Sequence, residues 1–376
     1  MEARKKIKEK YKGVAVIFAG GGGIRLWPLS REKNPKQFLS IFDSRSFFRI
    51  VAERIMKVFS SEDVFVSTTR GMEQFVKRDF PELPKENLII EPARKDCGPA
   101  VLYACMYINK KRGNVPIFGT WSEEIMDEGE EFQKIVLGSI AITESHNKLV
   151  RIGVRPTYPS TKFGYIQLGD FIDKRSGIEL YKVRKFHEKP DIKKAKEYIK
   201  RWDFLWNSGM WATKPETMFN FYKKYAPEIF DPMNERKELF KKDDYSDLMS
   251  NIYGSLQKIS IDYIINDRVE NTEEEMLVIP SSIFWQDAGT WNMIYETGYK
   301  DENGNVILGS GNILGFQSKE NLVFEEKKGK LIALFHMENT TLIDTGDVLL
   351  VMPTNKAEKL KDLIEEIKRR NGENWL

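Results

Sequence analysis

The hydrophobic pattern has two textures: continuous runs and helical stripes over most of the chain, then short clipped runs near its end. Val14-Ala15-Val16-Ile17-Phe18 is a continuous apolar run ending in a glycine cluster, the pattern of a strand buried on both faces of a parallel sheet. From Phe47 to Phe59 the spacing turns helical. Phe48, Val51, Ala52, Ile55, Val58 and Phe59 share one face, and Ser46 is placed to cap it. Val64–Val66 and Leu88–Ile90 read as the next two strands, Pro99 opens a helix through Tyr107, and Val115–Phe118 is the fourth strand. Leu149–Val154 and the region of Phe284 add sheet elements. This alternation predicts an α/β fold with a doubly wound sheet, whose ligands gather at the carboxyl ends of the strands.

From Asn303 the runs shorten. Val306–Leu308, Leu322–Phe324, Lys330–Phe335, Thr341–Ile343 and Val348–Met352 are separated by Gly-Asn or charged turns, which predicts a small all-β appendage. Lys356–Arg370 then places Leu360, Leu363, Ile364 and Ile367 on one helical face, free to pack on its own domain or on another subunit. The chain therefore divides into a main α/β domain over 1–298 and a β-rich domain with a terminal helix over 299–376. No internal repeat of solenoid type is visible.

Composition narrows the class. The 376 residues suffice for a large core, and 41% hydrophobic with 31% charged residues describes an ordinary soluble protein. Lys and Arg total 59 against 56 acidic residues, so charge gives no support for nucleic-acid binding; the basic start (Arg4, Lys5, Lys6, Lys8, Lys10, Lys12) reads as a solvated terminus. Two cysteines, Cys97 and Cys105, are no disulfide framework and fit a reducing compartment. No stretch approaches the ~18 apolar residues of a membrane span, and the charged N-terminus lacks the apolar centre of a signal peptide. A cytoplasmic protein without membrane or nucleic-acid partners is expected.

The candidate chemistry begins directly after the first strand. Ala19-Gly20-Gly21-Gly22-Gly23-Ile24-Arg25 is either a plain turn or a loop whose backbone approaches a phosphate and whose N–H groups cradle it. It lacks the Gly-Lys-Ser/Thr ending of a Walker A loop, and Leu26 stands where a dinucleotide fingerprint needs a third small residue. Leu26-Trp27-Pro28-Leu29-Ser30-Arg31 and then Asn34-Pro35-Lys36-Gln37-Phe38 follow. Arg25 and Lys36 are thus two cations near a glycine loop at a strand end, suited to stabilising charge on the phosphates of a nucleoside triphosphate.

Ala19 to Arg31, with Pro35-Lys36-Gln37-Phe38, resembles the pyrophosphorylase signature of the sugar-1-phosphate nucleotidyltransferases, in their mannose-1-phosphate guanylyltransferase branch. Further matches follow in order. Glu91-Pro92-Ala93-Arg94-Lys95-Asp96-Cys97-Gly98-Pro99-Ala100 is similar to the base-recognition segment, and Pro156 to Ile166, with Gly164, to the substrate loop. Lys185-Phe186-His187-Glu188-Lys189-Pro190 resembles the sugar-phosphate motif and Trp206-Asn207-Ser208-Gly209-Met210-Trp211 the sugar-binding motif. Ser260-Ile261-Asp262-Tyr263 and Phe284-Trp285-Gln286-Asp287-Ala288-Gly289-Thr290 complete the set.

The resemblance implies a Rossmann-like mixed-sheet catalytic domain over 1–298, a β-helix-like domain over 299–376, and transfer of GMP from GTP to mannose 1-phosphate. Arg25 and Lys36 would serve the phosphates, with Gly20, Gly21, Gly22, Gly23, Glu91, Pro92 and Asp96 binding nucleotide. Lys189 would neutralise the sugar phosphate, and Gly164, Glu188 and Asn207 would bind the sugar. Without the motif around it, Glu188-Lys189 would be an exposed ion pair worth little. Mg²⁺ is implied, held by Asp287 and by an aspartate after the fourth strand. The family's C-terminal domain often mediates dimers, so a homodimer is an expectation.

At that first aspartate the chain departs from the family. Phe118-Gly119-Thr120-Trp121-Ser122-Glu123-Glu124 puts Ser122 at the position. Glu123 or Glu124 can substitute, the metal can rest on Asp287 and phosphates alone, or both glutamates face solvent. Asp96-Cys97-Gly98 also differs from the usual base segment; its carboxylate can accept from guanine N1–H and the exocyclic amine without excluding another base. Besides an active guanylyltransferase, the sequence leaves open an enzyme for another sugar or base and a catalytically weak or inactive homologue that binds nucleotide or nucleotide-sugar as a regulatory subunit.

Overall fold

The computed structural model describes residues 13–21, 23–175, 177–269, 272–327 and 329–376. The basic run from Arg4 to Lys12 and Gly22 lie outside the described residues. The chain divides into two compact units.

The first unit comprises the described residues up to Gly21 with Ala52–Trp121 and Met126–Trp285. Its frame is a nine-stranded sheet. In chain order the strands of the protein begin β1 (Val14–Phe18), β2 (Val64–Thr69), β3 (Leu88–Glu91), β4 (Ile117–Trp121), β5 (Glu124–Met126), β6 (Leu149–Val154), β7 (Tyr165–Arg175), β8 (Ile178–His187), β9 (Phe204–Thr213), β10 (Met276–Ser281) and β11 (Trp285–Asp287). The large sheet runs β3-β2-β1-β4-β9-β6-β10-β8-β7. β3, β2, β1 and β4 are parallel neighbours, whereas β9 is antiparallel to both β4 and β6. β1 lies between β2 and β4, so successive crossovers leave it in opposite directions and create a switch point at its carboxyl end. All five residues of β1 are buried, as the continuous apolar run requires.

The helix after β3 spans Cys97–Arg112 and so starts two residues before Pro99. Asp96 causes the early start: its backbone is left-handed (φ 69°) and its carboxylate accepts the Cys97 N–H at 2.8 Å, satisfying a donor that a helix start leaves open. Gly98 through Ile108 are buried and form much of the core. The fourth strand instead starts later than its apolar run, at Ile117, with the carbonyl of Pro116 accepting from Val14 N–H.

The second unit interleaves three pieces of chain: the stretch from within the glycine loop to Val51, Ser122–Ile125, and Gln286–Leu376. Its strands are β12 (Val306–Gly309), β13 (Asn312–Phe316), β14 (Leu322–Glu325), β15 (Leu331–Phe335), β16 (Thr340–Asp344) and β17 (Leu349–Pro353). β12, β14 and β16 pair in parallel, as do β13 and β15, and β17 closes the former sheet antiparallel to β16. Successive coils therefore stack, although no sequence repeat announces them. An asparagine holds two coils together: buried Asn321 donates through Nδ2 to Asn305 Oδ1 (3.0 Å) and to Met337 O (2.9 Å), and its Oδ1 accepts Thr340 N–H (3.0 Å). The terminal helix, Leu360–Arg369, packs within this unit through Leu360 and Ile364. The same core contains Leu26, Trp27, Leu29, Phe47, Trp291, Leu322 and Phe324, so the segment carrying Lys36 is built into the β-rich unit.

Candidate active site

In the first unit a cavity of about 300 Å³ opens at the carboxyl ends of the parallel strands, lined by Phe18, Thr69, Glu91 and Trp121 from the ends of β1, β2, β3 and β4. Gly20, Gly21, Asp96, Cys97 and Asp262 also line it; Pro92 does not. Glu91 is 4% exposed. Its two oxygens accept the Ser67 and Tyr253 hydroxyls, each at 2.9 Å. Burial outweighs these bonds and pushes its carboxyl up to about 7. Burial also pushes the Cys97 thiol up to about 12, so it lines the wall as a neutral thiol, 3.1 Å from Ser260 Oγ. Asp96 has committed Oδ1 to the helix start.

The sugar-motif residues gather in the same unit. Asn207 N–H donates to Gly164 O at 2.8 Å. A Cβ on Gly164 would lie 2.7 Å from Glu188 Oε2 and 2.9 Å from Phe186 Cζ, so this glycine leaves the room Glu188 occupies. Glu188 is nearly buried, and burial raises its carboxyl above the ordinary range. Lys189, with left-handed backbone (φ 43°), pairs with Glu188 Oε1 at 2.7 Å and lies 5.4 Å from the Tyr263 ring centroid. The predicted Glu188–Lys189 pair therefore exists, with its acid desolvated rather than solvent-facing.

A residue the sequence reading passed over joins these groups. Arg151 of β6 is 1% exposed, and its Nη2 donates to Asn207 Oδ1 (2.6 Å) and to Asp262 Oδ1 (2.8 Å). Asn207 Nδ2 donates to the same Asp262 oxygen at 3.2 Å. The signal was a lone charge inside the apolar run Leu149-Val150-Arg151-Ile152.

The second unit holds the other predicted groups. Lys36 is 3% exposed and its Nζ is 2.8 Å from Glu123 Oε1. A Cβ on Gly23 would fall 2.3 Å from Lys36 Cβ, so only glycine lets the lysine stem pass this loop residue. Ser122 is fully buried and donates from Oγ to Glu123 Oε2 at 2.9 Å; Ala288 N–H donates to Glu123 O at 3.2 Å. The expectation that both glutamates face solvent fails. Glu124 is 4% exposed, and Glu123 is held between a lysine and a serine. Arg25 is exposed and without an ion-pair partner among the described residues.

Asp287 is half-buried, and its carboxylate has no hydrogen-bond or ion-pair partner among the described residues. A Cβ on Gly289 would lie 2.7 Å from Asp287 Oδ2, so the carboxylate rests against bare backbone. Among the described residues no cluster of three or more His, Cys, Asp or Glu could hold a metal. An uncommitted carboxylate, all oxygen, nevertheless fits a hard cation that takes one or two protein ligands and completes its shell with phosphates.

A loop of glycines at a switch point, a cavity at four strand ends and an adjoining cluster of sugar-motif residues define a nucleotide-handling enzyme. The chain belongs to the nucleotidyl transferase family, whose model matches residues 14–304. Within it, the chain is similar to the mannose-1-phosphate guanylyltransferase of Escherichia coli, 30% identical over 94% of this chain and 75% of that one. It is also 30% identical to the mannose-1-phosphate guanylyltransferase RfbM of Salmonella typhimurium, over 95% of this chain and 72% of that one. A solved structure from Thermus thermophilus, described as a mannose-1-phosphate geranyltransferase, matches with a TM-score of 0.82 at 27% identity, covering 95% of this chain and 99% of that one. Among the described residues no helix is long and apolar enough to cross a membrane.

Proposed function

We propose that the protein transfers the GMP group of GTP to mannose 1-phosphate, giving GDP-mannose and pyrophosphate. The observation that carries this reading is the cavity at the ends of β1–β4, whose Asp262 wall is tied through Arg151 to Asn207 of the sugar motif. A phosphate oxygen of the sugar phosphate attacks the α-phosphorus in line. The new O–P bond forms as the bond to the β-phosphate oxygen breaks, and pyrophosphate leaves with that electron pair. The protein's work is positioning and charge stabilisation, with no covalent intermediate. Backbone at Gly20 and Gly21 approaches the phosphates, Arg25 grips the triphosphate, and Lys36 stabilises charge developing on its oxygens. Asp96 accepts from the guanine edge, Lys189 offsets the sugar phosphate, and Glu188 and Asn207 bond its hydroxyls. Asp287 would hold Mg²⁺, with Glu123 as the second candidate ligand; when bound, the ion screens phosphate charge. In this reading residues 1–298 carry the chemistry, 299–376 support a homodimer, and the reaction is cytoplasmic.

Ser122 and the Lys36–Glu123 pair favour a second reading, in which the chain is a catalytically weak or inactive homologue that binds nucleotide or nucleotide-sugar as a regulatory partner. Incubation with Mg²⁺, GTP and mannose 1-phosphate, with pyrophosphatase present, separates the two. GDP-mannose formation supports the first. Tight GDP-mannose binding without product sinks it in favour of the second, and product only with another nucleoside triphosphate or sugar 1-phosphate reassigns the substrates.

A further inference from the structure

Arg151 lies outside the sugar motif, yet it decides which way the motif's asparagine points. An amide side chain has a carbonyl that accepts two hydrogen bonds and an NH₂ that donates two, and the two ends are easily interchanged. Here three neighbours act on that choice. Arg151 Nη2 can only donate, and it lies 2.6 Å from Oδ1. Gly209 N–H also donates to Oδ1, at 3.2 Å. The Asp262 carboxylate oxygen accepts from Nδ2 at 3.2 Å. Reversing the amide would set N–H against N–H on one side and oxygen against carboxylate on the other. Both carbonyl lone pairs are then occupied, and one Nδ2–H is committed to Asp262. Among the described residues, the remaining N–H is the hydrogen-bonding capacity the Asn207 side chain has left.

Arg151 also sits where a purely structural residue would be poorly served. Among the described residues its buried Nε and Nη1 have no hydrogen-bond partner, so a guanidinium is kept at 1% exposure for the contacts of a single nitrogen. Removing this cation leaves Asp262 without its ion-pair partner, a cost its partial solvation lowers below that of a fully buried charge. We propose that Arg151 is a positioning residue of the sugar subsite. It locks the Asn207 amide with its N–H outward, so the substrate group that meets Asn207 must be a hydrogen-bond acceptor, a hydroxyl oxygen whose own proton goes to a neighbouring carboxylate. This inference rests on the sugar-phosphate reading of the site.

The test compares wild type with Arg151→Met and Arg151→Lys in steady-state assays with GTP and mannose 1-phosphate, with melting temperature recorded for each. Arg151→Met is expected to raise KM for the sugar phosphate at least ten-fold while KM for GTP stays within two-fold, and Arg151→Lys to recover most of that loss. An unchanged sugar-phosphate KM overturns the proposal. So does an equal rise in both KM values, or a fall in kcat alone that tracks a lower melting temperature. If Arg151→Met does not fold, Arg151→Gln, too short to hold both Asn207 and Asp262, is read by the same split between the two KM values. Wild type alone reads the underlying function: no turnover and no calorimetric binding of any sugar 1-phosphate removes the subsite and the proposal together. An active wild type whose variants show no split removes only the role of Arg151.

Discussion

Replacing Glu91 with glutamine removes one ionisation from the cavity and keeps its shape. In the folded protein this carboxyl is buried and pushed up to about 7 from an ordinary 4.5. The group therefore binds its proton more tightly in the folded than in the unfolded chain. Its contribution to stability is fully present below pH 4.5 and is lost as the pH rises through 7. At roughly 1.36 kcal/mol per pH unit, the loss between pH 4.5 and 7 is about 3 kcal/mol. Glutamine still offers one oxygen to a hydroxyl, and Ser67 or Tyr253 can turn to accept from its NH₂, so the hydrogen bonds survive. Urea unfolding of both proteins at pH 5, 6, 7 and 8 reads the difference, urea being uncharged. The two should be nearly equal in stability at pH 5, and Glu91→Gln should lead by about 3 kcal/mol at pH 8. Parallel profiles, or a wild type that gains on the variant as pH rises, would refute the reasoning.

Three further outcomes follow from the same geometry. Ser122→Asp sets a second carboxylate against Glu123 in a fully buried place; alone it should lower the melting temperature without raising kcat, whereas Ser122→Asp with Glu123→Ser should raise kcat. Gly164→Ala drives a methyl into Glu188 and Phe186, so KM for the sugar phosphate should rise about ten-fold, as expected for a lost charged hydrogen bond, with KM for GTP unchanged in the same assay. Asn321→Leu removes the acceptor of Thr340 N–H and one donor each from Asn305 Oδ1 and Met337 O, which keep the Asn321 and Lys319 backbone N–H groups, and should cost about 2 kcal/mol, read by calorimetry.

Residues that obey a local rule were legible in the sequence. The apolar run Val14–Phe18 is β1, and the glycine cluster after it borders the cavity because a switch point lies at that strand end. Elements whose form depends on a distant partner were less legible. β13 escaped notice because it is interrupted by Gly315 and mostly exposed, so neither alternation nor a buried run marks it. The early helix start at Cys97 depends on Asp96 taking a left-handed backbone, which an L-residue rarely adopts. Glu123 reads as a surface charge until Lys36, far off in the chain, is found against it. Arg151 shows in the sequence only as a lone charge in an apolar run, since its meaning lies in Asn207 and Asp262 on other elements.

The interleaving of the second unit bears on how such a chain can be inherited. Leu26, Trp27, Leu29 and Phe47 share one core with Leu322, Phe324, Ile343, Leu350, Leu360 and Ile364. Recombination at residue 298 would hand the segment bearing Arg25 and Lys36 an unfamiliar set of packing partners. The β-rich tail is therefore no cassette to be exchanged between lineages. It and residues 26–47 must drift as one co-adapted set, so a tail grafted from a relative should carry its own version of that segment.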